Sequence, residues 1–106
     1  MIRPAKDPAA LQRIKDAAAA GSYVLSFHAR QRMAERSITL AEIIGILMGG
    51  HREESKDQYS ERMLAWTYAL RGLTPETREL RIAVAVQSGV VVVTVIDLNG
   101  QGDHEN

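Results

Sequence analysis

The chain contains no cysteine, an absence that removes disulfides, zinc–thiolate sites, iron–sulfur clusters and thiol nucleophiles together. It fits a cytoplasmic location, which is the expectation. A long apolar run is also missing. VVVVTVI, at residues 90–96, falls far short of the ~20 residues a membrane helix needs, and no basic-then-apolar leader opens the chain. A soluble, unexported protein with no membrane partner is expected. Net charge is lacking too: 13 Lys and Arg balance 13 Asp and Glu, which argues against bulk electrostatic attraction to nucleic acid.

What is present is ordinary in amount and uneven in distribution. With 106 residues, 45% hydrophobic and 25% charged, the chain has the composition of one globular domain. Residues 1–52 carry eight basic and four acidic groups, residues 53–106 five and nine, so the halves are +4 and −4. A phosphate would prefer the N-terminal half.

Asp7-Pro8 reads as an N-cap with proline at the first helical position, and AALQRIKDAAAAG then runs to a closing glycine, giving a helix near 8–20. SYVL is a short extended candidate. Ser26 caps a second helix to about Arg36, and Thr39 with Glu42 has capping-box spacing for a third that ends at Gly49-Gly50. From His51 onward the period changes to alternation. REESKDQ reads as an edge strand, RMLAWTYALRG as a strand, LTPETRE as a loop, and LRIAVAVQ and VVVVTVIDL as a hairpin around Ser88-Gly89. The expected fold is α+β, with N-terminal helices packed on one face of a three- to four-stranded antiparallel sheet. One domain over 1–98 and a frayed polar tail over 99–106 complete the expectation.

The chemistry concentrates in SFHARQRMAERSIT, residues 26–39. At about 100° per residue, Phe27, Ala29, Met33 and Ala34 fall on one side of the helix, facing the sheet, and His28, Arg32 and Glu35 on the other, with Arg36 at its border. His28, Arg32 and Arg36 are spaced i, i+4, i+8 along one stripe. The plain reading is a solvated face with Arg32 and Glu35 as neighbours. The functional one is an anion site, since the like charges at Arg32 and Arg36 repel unless an anion offsets them. Arg30 projects into the apolar arc, where pairing with Asp97 or Glu61 at the sheet margin is expected.

FHARQRMAERSITLAEI, followed by WTYALRG and VVVVTVI, resembles a small bacterial family of unknown function with a His-Ala-Arg-x-Arg-Met-x-x-Arg helix, across about residues 23–98. That family is similar in layout to the RelE-like ribonuclease toxins. The resemblance implies a toxin-type endoribonuclease partnered by an antitoxin-like protein. Metal-free RNA cleavage needs a base for the ribose 2′-OH, an acid for the leaving 5′-oxygen and cations for the phosphoryl charge. His28 suits the proton transfer, Arg32 and Arg36 the clamp, and Glu35, Tyr68 or Thr94 a second proton-handling role. His51 reads as a cation at a helix end, His104 lies in the tail, and Trp66 reads as core. With no ligand-spaced cluster, neither metal nor cofactor is expected.

Two other readings compete. Zero net charge, where RelE-like toxins are usually basic, favours a non-catalytic protein-binding module on the same scaffold, a regulator or a phage- or plasmid-borne inhibitor. A helix-turn-helix reader is disfavoured because LAEIIGILMGG carries almost no side chains able to read base edges. An edge strand at 51–58 offers pairing to a second copy or an antitoxin.

Overall fold

A computed structural model describes residues 3–99. Its elements, in chain order, are α1 (Ala10–Ala20), β1 (Tyr23–Leu25), α2 (Phe27–Arg36), α3 (Leu40–Gly49), β2 (His51–Arg52), a 3-10 turn (Glu54–Lys56), β3 (Gln58–Ser60), β4 (Ala65–Leu73), β5 (Glu79–Val86) and β6 (Val90–Asp97). The class is α+β as expected, with six strands rather than three or four. β1, β6, β5, β4 and β2 follow one another across the sheet, and β3 also pairs with β4.

Local chemistry explains the helix ends. The Asp7 carboxylate accepts from the Ala9 amide at 2.8 Å just ahead of α1, and Gly21, at φ 72, closes that helix. Ser26 caps α2. Thr39 and Glu42 form the reciprocal capping box on α3. Gly50 is required by proximity: a Cβ there would lie 2.6 Å from the Ile46 carbonyl oxygen and 2.8 Å from that of Arg71, so α3 can lie against β4 only through a bare backbone.

Strand alternation sorts the sheet into two faces. Tyr68 and Leu70 of β4, Leu80, Ile82, Val84 and Val86 of β5, and Val90, Val92 and Val95 of β6 form the core with Ile14, Ile43, Ile46 and Leu47. Cross-strand register puts Thr67, Ala85 and Val91 in one row on the opposite face and Ala69, Ala83 and Thr94 in the next. Beyond them, Arg71 and Arg81 stand directly opposite each other. That like-charge pair is held by Glu53, which accepts from Arg81 Nε at 2.6 Å and from Arg71 Nη1 at 3.0 Å, while Arg71 also bonds Glu79 at 2.8 Å.

Several expectations are corrected. The segment 51–58 is two short strands broken by a 3-10 turn, because the Asp57 carboxylate caps the β4 amide of Ala69 and ties to Arg52 and Lys6. β1 pairs with β6 in parallel, so the sheet is mixed. The β5–β6 loop holds three residues, since Val86 pairs with Val90. Asn99, assigned to the tail, returns to β5 by accepting from the Glu79 amide at 2.7 Å; residues 100–106 lie outside the described residues. Phe27 and Ala34 are exposed, leaving Ala29 and Met33 as the inward side of α2. Arg30 is exposed as well, and Asp97 accepts instead from Arg78 at 3.0 Å.

The Glu53 cluster yields a prediction. Hydrogen bonds from Arg81, opposed by desolvation and reinforced by Arg71, lower the Glu53 carboxyl from its ordinary 4.5 to about 2. A carboxylate depressed on folding stabilises the protein fully above its ordinary range and loses that contribution as pH falls through the folded value. Urea denaturation from pH 7 down to pH 2 is expected to show stability declining between about pH 4.5 and about pH 2. Glu53→Gln should cost about 3 kcal/mol at pH 7, by removing the carboxylate that the buried Arg81 shares with Arg71, and should flatten the acid decline. A variant as stable as the parent would remove this cluster from the forces holding the sheet.

Candidate functional site: a carboxylate-free hollow at the start of the second helix

Ser26 sets the geometry. Its hydroxyl accepts from the Ala29 amide at 3.0 Å and donates to the Val93 carbonyl at 2.7 Å, while its own amide bonds the Val92 carbonyl at 2.9 Å. Val93 is the extra residue of a β-bulge, since Ala83 pairs with Thr94 and Val84 with Val92. The first turn of α2 is thereby fixed against the point where β6 bends.

That turn borders a hollow of about 610 Å³ lined by Ser26, Phe27, His28, Ser60, Arg62, Met63, Val91 and Val93. Val91 belongs to the face turned away from α1 and α3, and Ser60, opposite Ala65 in the register, shares that face. Arg62 and Met63 come from the β3–β4 turn, where the Ser60 hydroxyl accepts from the Met63 amide at 3.1 Å. Leu64 closes that turn at φ 52, a left-handed conformation that a branched side chain adopts only at a cost of about 1–2 kcal/mol.

The lining contains a histidine, an arginine and two hydroxyls but no carboxylate. The N-terminus of α2, with no acidic residue in its first turn, adds the positive end of a helix dipole. Among the described residues, neither His28 nor Arg62 enters an ion pair or a side-chain hydrogen bond. The charged and helix-terminal groups of the lining itself favour an anion.

The residues singled out in the sequence are dispersed. His28 lines the hollow. Arg32 and Glu35 lie further along α2, paired with each other at 3.8 Å. Arg36 is half-buried at the far end of α2, where Arg78 donates to its carbonyl and to that of Ser37. Tyr68 is in the core at 1% exposure, its hydroxyl accepting from the Asp7 amide at 2.7 Å and its ring carrying the Arg52 guanidinium at 5.0 Å. Thr94 stands on the second face of the sheet. His51 is an exposed β2 residue opposite Arg71, whose hydrogen bond is the main cause that lowers the Glu79 carboxyl. Trp66 is half-buried against the core and donates to the Pro4 carbonyl at 2.7 Å. The sequence reading missed Arg62 and Ser60. A serine closing one strand and an arginine in the turn before the next were the available signal, and nothing in the sequence placed them beside α2.

No group of three or more His, Asp or Glu among the described residues is arranged to hold a metal ion, and no described helix is long and apolar enough to cross a membrane.

Fold and site together define an α+β domain with its helices on one sheet face and an anion-favouring hollow at the margin of the other. The chain belongs to the family described as domain of unknown function DUF4258, whose model matches residues 25–97. The match includes every group lining the hollow and excludes α1, which supplies Ile14 to the core. No curated protein and no solved structure matches the chain.

Ser26→Ala removes the cap and the link to the bulge in one change. It is expected to lower stability by about 1–2 kcal/mol and to speed amide exchange at Ala29 more than in α3. Equal protection of the two helices in the variant would show that the first turn is held by something else.

Proposed function

We propose that the chain is a metal-independent endoribonuclease of the RelE-like toxin type acting at the His28–Arg62 hollow. The supporting observation is that lining: a histidine and an arginine from separate elements, without ion-pair partners among the described residues, share a concavity that holds no carboxylate. A phosphodiester is an anion, and a guanidinium binds its oxygens in a fork.

On this reading Arg62 holds the scissile phosphate and stabilises charge growing on its non-bridging oxygens. The neutral imidazole of His28 takes the 2′-OH proton, the 2′-oxygen bonds to phosphorus, and the bond to the 5′-oxygen breaks. That oxygen collects its proton from water, leaving a 2′,3′-cyclic phosphate and a 5′-hydroxyl. Arg32, one turn along α2 from His28, assists at the flank while Glu35 holds it. An antitoxin-like protein that covers the hollow is the partner such an activity implies.

Purified protein with single-stranded RNA and excess EDTA is the direct test. Cleavage to 2′,3′-cyclic ends is expected, with His28→Ala and Arg62→Ala each slower by about 100-fold or more and Tyr68→Phe unchanged at the chemical step. Intact RNA with the parent protein, or an undiminished rate in His28→Ala, overturns the assignment.

A second reading, a non-catalytic protein-binding module, draws on a different observation. Val24, Phe27 and Leu64 are all more than half exposed, and contiguous exposed apolar surface marks sites of protein–protein contact. It predicts a parent protein that leaves RNA intact and a partner whose binding is weakened by Leu64→Ser.

A further inference from the structure

We propose that the hollow selects single-stranded RNA, one unpaired base stacking on the ring of Phe27 while the neighbouring phosphate lies on Arg62. This rests on the ribonuclease reading and adds what that reading leaves open, the form of the substrate.

Phe27 is the only phenylalanine in the chain, and its exposure, 82%, exceeds that of the other exposed large apolar side chains among the described residues. Burial therefore gives no account of a phenylalanine at this position. Neither does looseness of the backbone, because Phe27 is the first residue of α2, directly after the Ser26 cap that ties the turn to β6. An aromatic side chain on a fixed backbone, next to His28 and on the rim of the same hollow, gives up little backbone freedom when a ligand arrives.

The surroundings specify the kind of group that fits. Val91, Val93 and Met63 supply an apolar lining next to the polar trio of His28, Arg62 and Ser60. A nucleotide has this division itself, one flat apolar face and one anionic linkage. The side chains of the lining include no amide and no carboxylate, and with Arg62 engaged by the phosphate none is left to read a base edge in bidentate fashion. Stacking should therefore be sequence-tolerant, and strongest for purines, which have the larger face. A base within a duplex is already stacked on both sides and must be extruded before it can reach the ring. Paired RNA is disfavoured for that reason.

The test uses 2′-O-methyl RNA, which cannot be cleaved by 2′-oxygen attack, as a fluorescent ten-nucleotide strand either alone or annealed to its complement. Anisotropy titration of the full chain at one fixed salt concentration is expected to show tighter binding to the single strand. Phe27→Leu keeps the apolar bulk and loses the ring, and should weaken single-strand binding by roughly 5- to 100-fold with little effect on the duplex. Phe27→Tyr should restore it. Because the side chain is exposed, thermal melts of both variants should match the parent.

If the parent cleaves RNA and Phe27→Leu binds the uncleavable strand as well as the parent does, stacking is overturned and the ribonuclease reading stands; a ring that serves a protein partner gives this same result. If the ring dependence appears but natural RNA stays intact, the single-strand site stands and the cleavage assignment falls. Equal affinity of the parent for single strand and duplex overturns the proposal directly.

Discussion

One hydroxyl connects the two halves of this molecule. Ser26 accepts from the α2 backbone and donates to the bulged residue of β6, so the direction in which α2 leaves the sheet and the place where the sheet bends are fixed by the same atom. Position 26 needs a small side chain that donates and accepts at once, which a serine or threonine hydroxyl provides and an Asp or Asn oxygen does not. Phe27 and His28 follow directly in sequence. Their placement on the rim of the hollow is a consequence of that junction, since the first turn of a helix is otherwise the part most prone to fray.

Alternation in β4, β5 and β6 provides the second constraint. With most of the large aliphatic side chains directed to one face, the other is built mainly of Ala, Thr and paired charges, with Val91 and Ile96 from β6. Glu53 and Glu79 are engaged with Arg71 and Arg81, Asp97 and Glu42 with Arg78, and Asp57 with Arg52 and Lys6. These carboxylates, four of them from the nominally acidic half, are held within internal pairs, and none of them lines the hollow. A chain with zero net charge can in this way keep a concavity of one sign, and the contrast between the two halves of the sequence says little about where an anion is favoured.

How much of this was legible in the sequence depends on how local each feature is. Caps at Ser26, Thr39 and Gly21 are decided by two or three residues and read correctly, as do the alternating strands. The segment 51–58 does not, because the Asp57 side chain reaches across to β4 and its backbone geometry follows from that distant bond. Ideal helical period assigns Arg30 and Phe27 to the sheet side, but the buried side of α2 is narrower than that period implies and is carried by Ala29 and Met33. Tyr68 looked available because its hydroxyl needs a partner. That partner is the Asp7 amide, 61 residues away. Half of the hollow was visible as His28. The other half, Arg62, sits in a turn with no periodicity, and only the return of β3 and β4 brings it to α2.

Neutral overall charge and RNA chemistry are compatible if affinity comes from contacts other than counterion release. A protein that grips many phosphates depends steeply on salt, with a log–log slope of roughly 0.7 per contact on single strands. A hollow with one guanidinium, one imidazole and a helix terminus gains little this way, and on the proposed reading it draws instead on an apolar surface that salt does not screen. Weak salt dependence together with dependence on an aromatic ring is thus the thermodynamic pattern this architecture implies. A basic ribosome-binding toxin implies the reverse. On the same proposed reading the position of Phe27 follows: where long-range attraction is absent, a binding group gains from being exposed on a backbone that is fixed before the ligand arrives, and the first turn of a helix capped onto a bulged strand provides that backbone.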